Sequence, residues 1–570
     1  MRLIVREYLG MLRESGEFDS LIPDLLLSMG IVPFSRPQIG VRQAGVDVAA
    51  VGNDEAGTLT LWLFVLKRGD VGRREWDGQP QAVRPSLNEV RDVYLHSHVD
   101  SQHSTLPVKI VLATTGDLKQ EAEGNWSGYV NENSVPGRRQ YEFWNGDKVA
   151  NLVERHLLDE YALPQEARSE LRRALALVGE PDYDLQHFHM LLSQLLAWEK
   201  SGANGGQATD KQCAKSLVTI SVALGILCRW AATDGNLRNG LLASERTLLW
   251  AWQAILKRSL TENEDVLQAY FRLIGIYMNM TTEYFNKLQP HFHVQDGIGQ
   301  YYPEWVLLTE QVFEQIGLIS SIGLSHLLWG VATRDEERVR GTQTVAESLV
   351  ALIKNHRCSG SPCYDSQVID ITLALLFLNY MNRAEFAREW IREMTGRLTF
   401  GFRVGRWFPI STDSFDDLVD LEVNGKDIDL SKLKETSWTV PTIAQWAAIL
   451  HEDEAYTGLV GLQENVLKQT CFQLWYPDED TNGVVYSGPA QFESGVSEAP
   501  IVLPPTAEEM RRNIGRTRAE SPVRSRVRSS ATEAGLAFLD FVACRHFKTP
   551  VDPACWQLLN VEASSAGDPV

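Results

Sequence analysis

The sequence predicts an α+β chain that is predominantly α. Three features predict it: an apolar hairpin strand near residue 60, helical spacing of apolar side chains from about 165 to 395, and a change of texture after 396. The expected organisation is an N-terminal αβββαβ unit over 1–164, a large helical region over 165–395 and a mixed C-terminal lobe over 396–570.

Residues 3–14 and 20–29 carry helical spacing, and "IVPF" and "GVDVAAVG" follow as short extended segments. After a turn in "NDEAG", the run "LTLWLFVLK" places Leu59, Leu61, Leu63 and Val65 on one side and Trp62, Phe64 and Leu66 on the other. A strand apolar on both sides is one covered on both faces of its sheet. The reading continues with a helix over 86–98, strands at 108–116 and 140–144, and a helix from 146 to 160. Beyond it, "LRRALALVG", "HFHMLLSQLLAWEK", "SERTLLWAWQAILKRSL" and "DVLQAYFRLIGIYMNM" read as amphipathic helices. In the last lobe "LTFGFRVGRWFPI" reads as strand, "DTNGVVY" as a hairpin turn, and 511–528 as an Arg-rich segment that could grip nucleic acid or an acidic partner such as the stretch at 411–430.

Seven scattered cysteines and a charged, amphipathic N-terminus point to the cytoplasm. The uncharged run 315–333 is nearly long enough to span a bilayer, but its four Ser/Thr, its His and its three Gly favour a buried core helix, so no membrane association is expected. The net charge of −20 opposes a broad nucleic-acid surface, because backbone binding rests on Lys and Arg. Residues 1–165 hold 17 basic and 23 acidic side chains, so contact with a phosphate backbone must use a local patch, a metal ion or a partner. No P-loop and no G-x-S-x-G elbow occurs, which leaves nucleotide hydrolysis and α/β-hydrolase chemistry without an anchor. His356, Cys358 and Cys363 lie close in sequence but lack the paired spacing and fourth ligand of a zinc site.

The pair that can carry chemistry is Asp47 with Lys67, one on each strand of the hairpin. Metal-dependent phosphodiester cleavage needs carboxylate oxygens for Mg²⁺, and a lysine to orient the attacking water and offset charge. Arg68, Arg73, Arg74 and Arg84 follow closely and are the candidate backbone contacts.

Gly45–Val46–Asp47–Val48, the strand ending Lys67–Arg68–Gly69, Trp76, a Ser-started helix, "KIVLATTGD" and "YEFWNGDKVANLVERHLL" together resemble the PD-(D/E)xK nuclease superfamily, in its restriction-endonuclease-like (Mrr-like) branch. The resemblance covers roughly residues 1–160. It implies an αβββαβ core that cleaves DNA with Mg²⁺ or Mn²⁺, with Asp47 as metal ligand and Lys67 as catalytic lysine. It also implies a bacterial anti-phage setting, with protein partners or further copies of the chain. Val65 stands where the family has its second acid. Glu89 on the following helix could replace that acid as a catalytic residue and metal ligand, although Ser86 and Glu89 also fit a helix capping box. Glu7, Glu14 and Glu17 are further candidates, and a nuclease fold kept only as a binding scaffold is the alternative function.

Overall fold

The computed structural model describes residues 2–12, 14–35, 44–79, 81–158, 165–199, 207–299, 304–405, 408–412, 414–426, 429, 432–477, 481, 485–488, 496–520, 529–553 and 555. The chain is predominantly helical, with a small mixed sheet near its N-terminus. It divides into two compact units, residues 1–240 and 241–570.

The first unit opens with α1 (Arg2–Met11), whose Val5, Tyr8 and Leu9 are buried. A wide π-type turn, Glu14–Phe18, leads into α2 (Asp19–Ser28). The sheet follows as β1 (Val32–Ser35), β2 (Val48–Asn53) and β3 (Leu59–Lys67). Asp54 closes the β2–β3 turn by accepting N–H groups from Ala56 and Thr58. Next come α3 (Arg73–Asp77), α4 (Val83–Glu89), a wide turn at Val90–Tyr94 and the short α5 (Leu95–Ser97). The unit's α/β part finishes with β4 (Val108–Thr114), α6 (Gln120–Asn133), β5 (Arg139–Trp144) and α7 (Gly146–His156).

The strand order is β1-β2-β3-β4-β5, with β1, β2 and β3 antiparallel in turn and β3, β4 and β5 parallel. Leu61, Leu63 and Val65 join Trp76, Val83, Leu87 and Tyr129 in one apolar cluster. On the opposite face Trp62, Phe64 and Trp144 pack ring against ring. β3 is thus buried on both faces, as its composition requires.

Three expected boundaries change. α6 occupies what reads as a loop between two strands. The helix expected at Ser86 starts at Val83, and Ser86 Oγ donates to Ala82 O, so Ser86 and Glu89 do not form a capping box. The first unit also takes three helices expected in the helical region: α8 (Gln165–Leu177), α9 (Gln186–Leu195) and α10 (Asp210–Thr233). α11 (Leu237–Lys257) carries the chain across the boundary.

The second unit is built on α12 (Glu264–Phe292), α13 (Trp305–Thr333), α14 (Glu336–Asn355), α15 (Gln367–Tyr380) and α16 (Ala384–Arg403). α16 runs through Leu398–Phe402, so the strand expected there is a helix. Shorter helices follow: α17 (Phe415–Glu422), α18 (Thr439–Ile449), α19 (Asp453–Asn465), α20 (Ala507–Glu520), α21 (Ser530–Glu533) and α22 (Phe538–Phe547). Two small two-stranded sheets complete it. The turn expected in "DTNGVVY" and the end of the Arg-rich segment lie largely outside the described residues. Arg511, at the start of that segment, pairs with Asp453 at 2.9 Å rather than with the acidic stretch. α10 and α13 are long and apolar enough to cross a membrane, and 67% and 61% of their apolar windows are buried inside the protein.

Candidate functional site

The strand directions define the site. β3, β4 and β5 run parallel, so their carboxyl ends share one edge of the sheet, and antiparallel β2 begins at that same edge. Open sheets bind ligands outside such carboxyl ends, where the direction of connection changes. Asp47 enters β2 here, with its N–H donating to Phe64 O at 2.8 Å, and Lys67 ends β3 here.

Leu66 N–H donates to Asp47 Oδ2 at 2.7 Å, while Oδ1 receives no hydrogen bond from the described residues. Burial pushes the Asp47 carboxyl up to about 6; the Leu66 N–H and the Lys67 ammonium pull it down, and the charges of Glu14 and Asp19 push it up. Two of these groups, Glu14 and Asp19, are acids. Lys67 Nζ lies 3.8 Å from Glu14 Oε1, and Glu14 Oε2 accepts the Arg68 N–H at 3.1 Å. The π-type turn after α1 therefore delivers an acid to the edge where Asp47 and Lys67 meet.

The loops beyond β3 and β4 are locked to each other. Gly69 N–H donates to Thr115 Oγ1 at 2.8 Å, Thr114 Oγ1 donates to Gly69 O, and Asp117 N–H donates to Asp70 Oδ1 at 2.9 Å. Gly116 permits this approach, since a Cβ there would overlap the backbone of Gly69 and Asp70. Arg6 crosses from α1 to bond Thr115 O and to pair with Asp117 at 2.8 Å and Asp147 at 3.6 Å. Asn145 Nδ2 donates to Asp117 Oδ1 at 3.1 Å. Sequence reasoning missed Arg6, Asp117 and Asn145; the "TTGD" following a buried strand was the signal, a small-residue loop at a strand's carboxyl end.

The other predicted residues sit as follows. Glu89 is half-buried at the end of α4 beside Gly45, where a Cβ on Gly45 would come 3.2 Å from the Glu89 Cβ, and it is not among the charges that act most on Asp47. Glu14, by contrast, contacts Lys67 Nζ and the Arg68 N–H directly. Val65 is fully buried with Ala49, Leu63 and Leu87. Arg68, Arg73 and Arg74 are exposed, and Arg84 pairs with Asp77 at 3.0 Å. Residues 67–84 hold five basic and three acidic side chains, so the strip is mixed rather than uniformly positive. Among the described residues no three His, Cys, Asp or Glu side chains group to hold a metal. His356, in the second unit, has both ring nitrogens engaged: Nε2 accepts the Ile298 N–H at 3.0 Å and Nδ1 donates to Leu352 O at 2.8 Å.

Compared with protein-family models, curated proteins and solved structures, the chain matches none of them.

Proposed function

We propose that the first unit binds a phosphodiester backbone at the carboxyl edge of its sheet and, with Mg²⁺ or Mn²⁺, hydrolyses it in the manner of PD-(D/E)xK nucleases. The observation that carries this reading is the meeting of Asp47 and Lys67 at one sheet edge, with Glu14 beside the lysine. The donor set fits a hard cation bound in part by its substrate: Mg²⁺ commonly uses one or two carboxylates and fills its remaining positions with water and phosphate oxygens. Asp47 Oδ1 and Glu14 would hold it, and when bound it would supply Lewis-acid charge at the scissile phosphate. Lys67, released from Glu14, would orient the attacking water and offset the charge that develops on phosphate. Arg68, Arg73 and Arg74 would hold the flanking backbone, with Arg84 tied to Asp77. DNA is the proposed substrate and the cytoplasm the proposed setting, with protein partners or further copies of the chain supplying control in a defence system.

A second reading, binding without hydrolysis, is favoured by Val65 filling the place of the usual acid. A plasmid-nicking assay with Mg²⁺ or Mn²⁺ separates the two. Asp47→Asn, Lys67→Ala and Glu14→Gln are each expected to lower the rate at least about 10²-fold. Equal background in wild type and all three variants refutes hydrolysis. Binding of labelled DNA that weakens in Lys67→Ala would then support the second reading.

A further inference from the structure

The turn that delivers Glu14 is held from two sides. On the sheet side, Glu14 meets Lys67 Nζ and the Arg68 N–H. On the other, Glu17 of the same turn forms an ion pair with Arg229 on α10, and both side chains are largely buried, at 12% and 18% exposure. Arg229 belongs to a stripe. Gly225, Arg229 and Thr233 are four residues apart and so lie on one face of α10. A Cβ on Gly225 would come 2.7 Å from the Tyr8 hydroxyl, and Thr233 Oγ1 reaches Met11 Sδ at 3.8 Å. Each step along that face therefore touches α1 or the turn that follows it. From α10 the chain passes through residues 234–236 into α11, which makes α10 part of the covalent route from this site to the second unit.

We propose that Arg229 is a positioning residue of the sheet-edge site: through Glu17 it holds the turn in the place where Glu14 meets Lys67, so displacement of α10 moves the acid. This rests on the reading of that edge as the functional site. The pair is suited to the task because both side chains are largely buried, so removing either partner disturbs the position of the other.

The Arg68 amide reports directly on the placement, since its acceptor is Glu14. Hydrogen exchange read by mass spectrometry on the full chain is expected to show the Arg68 amide exchanging about tenfold faster in Glu14→Ala, Arg229→Gln and Glu17→Gln, with β2 and β4 as protected as in wild type. Arg229→Lys is expected to retain most of the protection. In the nicking assay Arg229→Gln and Glu17→Gln are expected to raise the Mn²⁺ concentration needed for half-maximal rate. Unchanged Arg68 protection in Arg229→Gln and Glu17→Gln overturns the proposal. So does uniform loosening of all five strands in both, which would make the pair a general strut. The exchange readout uses neither metal nor DNA, so a failure of the nuclease reading shows separately, as nicking and DNA binding that are absent from wild type.

Discussion

Asp47 is an acid held where it costs stability, and replacing it tests the geometry without any assumption about substrate. Its carboxyl is pushed up to about 6 from an ordinary 3.8, chiefly by burial. The folded value lies above the unfolded one, so the stabilising contribution is fully present below about 3.8 and is lost as pH rises through about 6. The full difference corresponds to about 3 kcal/mol at pH 7.5 and only about 1 kcal/mol at pH 4.5. Asparagine can keep the Leu66 N–H bond through its carbonyl and does not ionise. Asp47→Asn is therefore expected to stabilise the first unit by up to about 3 kcal/mol at pH 7.5 in EDTA, with the gain shrinking to about 1 kcal/mol at pH 4.5. Urea-dependent hydrogen exchange of peptides covering β2 and β3 measures it in the full chain, where global unfolding need not be two-state. A variant less stable than wild type at pH 7.5, or a gain of equal size at both pH values, refutes the reasoning. Saturating Mn²⁺ is expected to stabilise wild type and not the variant, because only a state that binds the ion gains from it.

Gly116→Ala places a Cβ into the Gly69 and Asp70 backbone and is expected to destabilise the first unit by at least about 2 kcal/mol, read in the same exchange experiment on β3 and β4. Val65→Glu writes the usual acid back into the motif, but into a fully buried apolar cluster; it is expected to cost at least about 3 kcal/mol in urea unfolding at pH 7 and to give no gain in nicking rate. In the second unit, burial lowers His546 to about 4 while Glu245 opposes the shift. Its Nε2 accepts from Arg246 Nε at 2.8 Å and its Nδ1 donates to Glu245 at 2.9 Å, so the ring is wired as neutral. The folded value lies below the unfolded 6.5, so this contribution is present above 6.5 and lost as pH falls toward 4, by about 3 kcal/mol. His546→Gln is expected to flatten the pH dependence of α22 exchange between 7 and 4, and an unchanged slope would contradict the assignment.

What the sequence made legible was whatever a single element states about itself. β3 announces a twice-covered strand because seven consecutive side chains from Leu61 to Lys67 leave no polar face until the last. α6 was illegible for the converse reason: "QEAEGNWSGYVNEN" is mostly polar, and Gly124 and Gly128 lower its helix propensity, so only the buried Ala122, Tyr129 and Asn133 betray the packed side. The segment at Leu398–Phe402 misled through its aromatic residues and glycine, whereas Met394, Leu398 and Phe402 are buried at four-residue spacing on a helix already begun at Ala384.

The same distinction explains the candidate site. Asp47 and Lys67 could be paired from sequence because a hairpin register links them locally. Glu14 could not be singled out, since Glu7, Glu14 and Glu17 are equivalent acids on any helical reading of the N-terminus. Their difference arises from the π-type turn, which sends Glu14 to Lys67 and Glu17 to Arg229, more than two hundred residues on. A motif records order along the chain, whereas an acid beside a lysine is a matter of where two backbones are brought. Val65 fills an apolar cluster and brings no carboxylate to this edge, whereas Glu14 reaches Lys67 from a turn that no strand motif describes.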